Sequence, residues 1–228
     1  MLSDNLDFKS QDILSSLQQT DYDLIREKMK FLTFKKGQLI FYDGGLPTGI
    51  FLLEKGKAKI FKVGLGGKEQ IFYIYKKGDL LGYHALLCGE CYYDSCEAVE
   101  DCEIGFISSH DFSDLVEKIP TLKTRLIQNM AHEFGVMVNT ITILAQKNVR
   151  ERLALYLLLL HERYQEEKSN QQKPILLSRE DLANIVGTAR ETLMRLLKEF
   201  KEDNLVRTEK RAIYVNEISK LKKIAGLD

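Results

Sequence analysis

Arg190, Glu191 and Arg195 fall within the six-residue run RETLMR, and their head groups suit the edges of base pairs. An arginine fork fits guanine O6 and N7, a carboxylate accepts from cytosine N4, and the flexible tip of Met194 can touch a thymine methyl. Glu191 and Arg195, four apart, share one helix face. A plainer account uses the same residues: Thr188 and Glu191 match a capping box, and Glu191 with Arg195 matches a surface ion pair. Downstream, NLVRTEKRAIYV alternates apolar and polar residues and turns at Glu209–Arg211. That pattern predicts a two-stranded wing, with Lys210 and Arg211 at a tip able to meet phosphate.

Cys88, Cys91, Cys96 and Cys102 form a second chemical cluster, spaced C-x2-C-x4-C-x5-C. Thiolates this close can hold zinc or an iron–sulfur cluster, which would make a metal or redox sensor, and Cys88 with Cys91 can form a thiol–disulfide switch. Against this, Cys96 and Cys102 share strand parity with Ala98, Ile104 and Phe106, the pattern of structural cysteines in a core. Confinement to residues 88–102, instead of a framework along the chain, argues for reduced thiols. The histidines at 84, 110, 132 and 161 are scattered, and no nucleophile elbow, zinc-protease pair or complete phosphate loop occurs. The run GLGGKE, Gly64–Glu69, lacks the Ser or Thr that a phosphate loop needs after its lysine, and it joins two strands; a hairpin turn is expected there. No catalytic residue is assigned, and the chain is not expected to be an enzyme.

These residues need scaffolds, and 228 residues at 44% hydrophobic content allow two ordinary domains with packed cores. No run reaches the roughly 18 uncharged apolar residues that cross a bilayer, and the opening MLSDNLDFKSQ has no basic region followed by an apolar one. A cytoplasmic location away from membranes is the expectation. The net charge of zero conceals an asymmetry: residues 147–228 carry 17 Lys+Arg against 13 Asp+Glu, or +4, and residues 1–146 carry 16 against 20, or −4. The basic end suits a polyanion or an ordinary solvated surface.

From Phe34 to Ile107, short β-rich runs are separated by glycine turns, which predicts an antiparallel sandwich, barrel or roll. Before it, SQDILSSL and TDYDLIREKM read as small helices, each beginning after a Ser, Thr or Asp suited to capping. From Pro120 to Ala145, Leu122, Leu126, Met130, Met137, Ile141 and Leu144 recur at steps of three, four or seven on one helical stripe. That stripe packs on its own domain or forms the seam of a homodimer. A helix of about 39 Å at 1.5 Å per residue is longer than so small a domain covers, which favours the seam. Asn148 can cap the next helix, VRERLALYLLLLHERYQEE, making 145–148 a hinge, and KSNQQKP follows as a polar, proline-ended loop. In LLSREDLANIVGTARETLMRLLKEF, Leu182, Ile185, Val186, Leu193, Leu196, Leu197 and Phe200 supply a buried face, and Gly187 supplies the turn.

Taken together, the glycine-spaced strands, the long helix, NVRERLALYLL and LSREDLANIVGTARETLMRLLKEFKEDNLV resemble the Crp/Fnr superfamily of bacterial transcription regulators over nearly the whole chain. The resemblance implies an α+β fold: an N-terminal antiparallel β-roll, jelly-roll-like and double-stranded, with flanking helices, a long dimerisation helix, and a C-terminal winged helix-turn-helix. It divides the chain into a cyclic-nucleotide-binding-like sensor at 1–119, dimerisation helix and hinge at 120–147, and DNA-binding domain at 148–228. The matching positions in that family contact bases at Arg190, Glu191 and Arg195, and backbone phosphates at Ser178 and Arg179. Ala189 stands where the family often has Ser, which is expected to shift capping onto Thr188. The implied partners are double-stranded DNA, a second copy of the chain and, for an activator, RNA polymerase. The docking geometry is that of the catabolite activator among helix-turn-helix proteins, with two recognition helices about one DNA turn apart on an inverted repeat, and a half-site near TGTGA.

Cyclic-nucleotide-binding members hold the ribose with a Gly-Glu pair and the cyclic phosphate with Arg followed by Ser or Thr. Here GYHALLCGECYYDS offers Gly82 and then Tyr83 in place of glutamate, with Tyr93 and Asp94 in place of the phosphate anchor. A carboxylate 4 Å from a phosphate charge costs about 4 kcal/mol even at an effective dielectric of 20. Met137 and Val138 replace the hydroxyls that meet adenine. Cyclic AMP is therefore not expected to bind, and no cofactor is implied with certainty. The roll is rich in aromatics, Tyr73, Tyr75, Tyr83, Tyr92 and Tyr93 with His84 nearby, which either line a pocket for an apolar or ring-shaped effector or serve as ordinary strand residues. Fnr-type iron–sulfur sensors carry most of their cluster cysteines near the N-terminus, and no cysteine precedes Cys88 here.

Overall fold

The computed structural model describes residues 5–165 and 172–227, so positions 1–4 of the opening segment and 168–171 of the proline-ended loop lie outside the described residues. The chain divides into two compact units, residues 7–137 and residues 138–228 together with 1–6.

In the first unit, helices α1 (Gln11–Ser15) and α2 (Gln19–Glu27) precede β1 (Lys30–Phe34), β2 (Leu39–Phe41), β3 (Gly49–Lys55), β4 (Ala58–Val63), β5 (Glu69–Tyr75) and β6 (Leu80–Leu81). Helix α3 (Tyr83–Cys88), β7 (Ser95–Ala98), β8 (Cys102–Ser108), α4 (Ser109–Lys118) and the long α5 (Pro120–Gln146) follow. The strands form two antiparallel sheets, ordered β1-β8-β3-β6 and β2-β7-β4-β5. The run GIFLLEK shows why both faces of the first sheet are covered: successive side chains of β3 point to opposite faces, and both sets are apolar. Phe51 and Leu53 join Phe41, Ile60, Tyr75 and Ile104 in the core of the roll, whereas Ile50 and Leu52 join Ile13, Ile25, Phe112 and Leu122 beneath the helices. The β3–β4 turn requires Gly56, at φ 91°, because a Cβ there would come within 2.6 Å of the Asp101 carbonyl. Gly64–Lys68 is the expected hairpin loop between β4 and β5, closed by Gly64 N–H donating to the Lys68 carbonyl at 2.9 Å.

The two small helices form, but their predicted caps do not. Ser10 precedes α1 yet donates its hydroxyl to Asp79 at 3.0 Å, and the residue before α2 is Gln18. The backbone of Ser10 is helical, at φ −62° and ψ −22°, and not extended as a capping residue's is, so its hydroxyl does not meet the N–H groups of the first turn.

Helix α5 corrects the predicted stripe. Leu122 and Leu126 are buried, and Met130 and Met137 pack on the clusters of the roll, so these residues serve their own unit; Ile141 is 62% exposed. The open face carries Ile127, Ala131, Phe134, Val138, Ile141 and Ala145, all exposed and spaced four and three residues apart in alternation. At 100° per residue this face lies about a quarter turn from the expected one, and its spacing is that of a two-stranded seam.

In the second unit, α6 (Val149–Tyr164) leads to β9 (Ile175–Leu176), α7 (Arg179–Val186), α8 (Arg190–Glu202), β10 (Val206–Glu209), β11 (Ala212–Val215) and α9 (Ile218–Ala225). Asn148 caps α6 through a complete capping box with Glu151, as expected. The three strands form an antiparallel sheet ordered β10-β11-β9.

Candidate functional site

Two regions gather the residues singled out by sequence. The first is the edge formed by α7, α8 and the wing. Helix α7 begins at Ser178, whose hydroxyl accepts from the Asp181 N–H at 2.9 Å, and ends at Gly187 in the left-handed region at φ 70°. Leu182, Ile185 and Val186 of α7 and Leu193, Leu196, Leu197 and Phe200 of α8 are all buried, each contributing about 1.5–3 kcal/mol of apolar burial. That packing turns Arg190, Glu191, Met194 and Arg195 outward, and all four are exposed.

Their pairing differs from the sequence expectation. Arg195 donates to Glu199 at 2.9 Å, one turn further along the helix, and makes no pair with Glu191. Among the described residues neither Arg190 nor Glu191 has a side-chain partner. The capping box also fails: the N-cap of α8 is Ala189, whose methyl cannot accept, and Thr188 lies one residue too early. The Thr188 N–H instead closes the glycine turn on the Ala183 carbonyl at 3.1 Å.

The wing is held to this edge by Arg179, which donates to the carbonyls of Arg211 at 3.2 Å and Lys210 at 3.3 Å. Partial burial pulls the Arg179 pKa below the ordinary arginine value. Lys210 turns the wing at φ 50°, leaving Lys210 and Arg211 exposed at the tip. Arg152 was not singled out by sequence. Buried in α6, it donates to the Val186, Lys147 and Gly187 carbonyls at 2.8, 2.8 and 3.0 Å, satisfying the C-terminal end of α7 and fixing its turn. The available signal was one arginine at the head of the run LALYLLLL, where a charge on an apolar helix needs a buried partner.

The second region is a cavity of about 470 Å³ in the roll. His84, Tyr93, Asp94 and Met137 line it, as do Lys62, Phe72, Tyr75, Met130, Glu133 and Phe134. Gly82, Tyr83 and Val138 do not: Gly82 supplies the left-handed entry to α3, Tyr83 is 1% exposed beneath the helices, and Val138 is exposed on α5. Tyr73 and Tyr92 are core residues, stacked on Phe8 and Phe41 respectively.

The cavity is acidic. His84 Nε2 faces Asp94 Oδ2 at 3.6 Å, while Asp94 Oδ1 is enclosed and has no hydrogen-bond partner. Burial opposes charging of His84, but Asp94 and the field of Glu133 outweigh it and raise the imidazole pKa. Glu133 accepts from Asn129 Nδ2 at 3.0 Å, and Asn129 also donates to the Tyr83 hydroxyl at 2.7 Å. Burial pushes the Glu133 carboxyl up to about 7. Lys62 is paired with Asp43 at 2.7 Å. Glu133 and Asn129 were missed by sequence, although a glutamate between Met130 and Met137 on an apolar helix face is itself a sign of a polar site.

The cysteines separate. Cys96 and Cys102 are buried in the core of the roll, and Cys88 and Cys91 are exposed. Among the described residues no group of three or more metal-ligating side chains is assembled. The alternative of a cluster sensor built on Cys88–Cys102 is thereby not favoured, because strand parity directs two of the four thiols inward.

Two stretches of the chain are similar to known domain families. The cyclic nucleotide-binding domain family matches residues 31–119, and the Crp-like helix-turn-helix family matches residues 151–224. The fumarate and nitrate reduction regulatory protein of Vibrio cholerae is 28% identical over 93% of this chain and 84% of its own length. The cyclic AMP receptor protein of Thermus thermophilus is 27% identical over 95% and 98%. The solved structure of FixK2 from Bradyrhizobium japonicum shares the fold, with a TM-score of 0.76 at 18% identity over 86% of this chain and 96% of that one. A roll of the cyclic nucleotide-binding domain family followed by a Crp-like helix-turn-helix, in this order and across almost the full length of regulators built the same way, makes this chain a member of the Crp/Fnr superfamily of DNA-binding transcription regulators.

Proposed function

We propose that the protein acts as a homodimer on an inverted-repeat operator, gated by a signal other than cyclic AMP received in the roll. Residues 1–119 form the sensor, 120–147 the dimerisation helix and hinge, and 148–228 the reading head. Arg190, Glu191 and Arg195 read base edges of a half-site near TGTGA, while Ser178, Arg179, Thr188, Lys210 and Arg211 lie along backbone phosphates. The protein works in the cytoplasm, with RNA polymerase as a further partner if it activates. The observation that carries this reading is the pair Arg190 and Glu191, exposed and unengaged on a helix whose opposite face is fully buried.

Tyr83 supports the exclusion of cyclic AMP. Where a ribose-binding glutamate would stand, its ring is buried and its hydroxyl is bonded to Asn129. Selection of bound duplexes from a random pool, followed by anisotropy with Arg190→Ala and Glu191→Ala, tests the reading. Each variant should lose about 1–3 kcal/mol of preference for the selected palindrome, with the unfolding temperature unchanged. Selected sequences without two-fold symmetry, or unaltered preference in both variants, would remove its basis.

A further inference from the structure

We propose that the cavity of the roll receives a small organic cation, an ammonium carried on an aromatic or aliphatic body; this rests on the reading of the roll as the signal-receiving part of a DNA-binding regulator. The walls are apolar and aromatic, with Phe72, Tyr75, Met130 and Phe134 among them, and the volume of about 470 Å³ suits a compact organic ligand. Among these walls stand two carboxylates, Asp94 and Glu133, against one histidine. The one lysine of the lining is neutralised by Asp43. An anion entering here meets the unpaired oxygen of Asp94, whereas an ammonium finds an acceptor for its N–H and ring faces that attract cations.

Asp94 makes the demand specific. One carboxylate oxygen faces His84, and the other is enclosed with no donor. A buried acceptor left unpaired is costly, and a ligand N–H is a group that would satisfy it. Glu133 already holds two donors, Asn129 and the Tyr83 hydroxyl, and a carboxylate with about four lone-pair sites can accept a further one. The occupant would also touch Phe134, which lines the cavity and stands 73% exposed on the open face of α5. Filling the cavity therefore bears on a residue of the helix face assigned to the partner protomer.

The test is calorimetry on the full-length protein with tryptamine, phenethylamine and octylamine as probes, and with indole-3-propionate and cyclic AMP as anions, beside anisotropy on the selected palindrome. At least one amine should bind saturably, neither anion should, and Asp94→Asn should weaken the amine by at least about tenfold. The conservative Asp94→Glu should recover part of that loss, which separates charge recognition from a folding defect. Absence of saturable binding by all three amines, or indole-3-propionate binding as tightly as tryptamine, overturns the proposal. Binding of cyclic AMP overturns it together with the exclusion of that nucleotide. Failure on the palindrome overturns the regulator reading whatever the calorimeter records, so the two failures are distinguishable.

Discussion

At the scale of single residues, burial makes the Glu133 carboxyl a source of pH-dependent stability. Its pKa is raised from the ordinary 4.5 to about 7, so between those values the folded state holds a proton that the unfolded chain has released. Stability contributed by the protonated form is complete below about 4.5, falls as pH rises through about 7, and is gone above it. Glu133→Gln keeps an acceptor for Asn129 and removes the titration. Denaturant melts should show it equal to the parent at pH 4 and more stable at pH 8, by up to about 3 kcal/mol. Equal stability of the two proteins at pH 8 would mean that Tyr83, His84 and Asn129 already compensate the charge. Ala189 bears on stability in another way. It sits at the N-cap of α8 with extended backbone but no acceptor, so Ala189→Ser should stabilise the reading head by about 1 kcal/mol, read as a higher unfolding midpoint. The sequence placed a capping threonine one position early, because a helix start shifted by one residue exchanges the cap for a turn residue and local pattern does not resolve that shift.

At the scale of elements, most of the architecture was legible. Glycine turns marked the strands, Asn148 marked the start of α6, and the apolar faces of α7 and α8 lay where spacing put them. Helix α5 was legible as a helix but not in its division of labour. It is apolar over so much of its circumference that period alone cannot say which stripe meets the roll and which meets a partner; long-range packing decides that. The cavity of the roll was half legible for the same reason. His84, Tyr93, Asp94 and Met137 were found; Lys62 comes from β4, which only the closed roll brings to them, while Glu133 and Phe134 sit on the same helix as Met137, where the period did not show which stripe meets the cavity. The exposed stripe has a direct consequence. Ile127, Phe134 and Ile141 contribute little to the fold of one protomer, so Phe134→Asp should keep the roll folded, with an unfolding midpoint that no longer rises with protein concentration. In sedimentation it should shift the protein from dimer to monomer, and palindrome binding should fall with it. A monomeric parent, or a variant that stays dimeric, would place the seam elsewhere. The core-facing Leu126→Asp is the contrast: it should destabilise the roll by several kcal/mol, because it buries an unpaired carboxylate.

At the scale of the whole molecule, zero net charge is the sum of an acidic first part and a basic second part, −4 for residues 1–146 and +4 for residues 147–228. No described helix is long and apolar enough to cross a membrane. A surplus this small gives weak attraction to DNA in general, so discrimination must come from base contacts more than from bulk charge. If Arg179, Lys210 and Arg211 of each protomer neutralise phosphates, a dimer covers about six of them, and the logarithm of affinity should fall with the logarithm of salt at a slope of about −5. Lys210→Ala removes one contact per protomer and should flatten that slope by about 2, weakening palindromic and scrambled duplexes alike. Arg190→Ala behaves differently if its guanidinium reads a base: it should narrow the gap between the two duplexes and leave the slope close to the parent's. The two variants thus separate positioning from reading in one salt series. A parent that binds scrambled DNA as tightly as the palindrome would show that charge alone governs this edge, and a slope unmoved by Lys210→Ala would take the wing away from the phosphates.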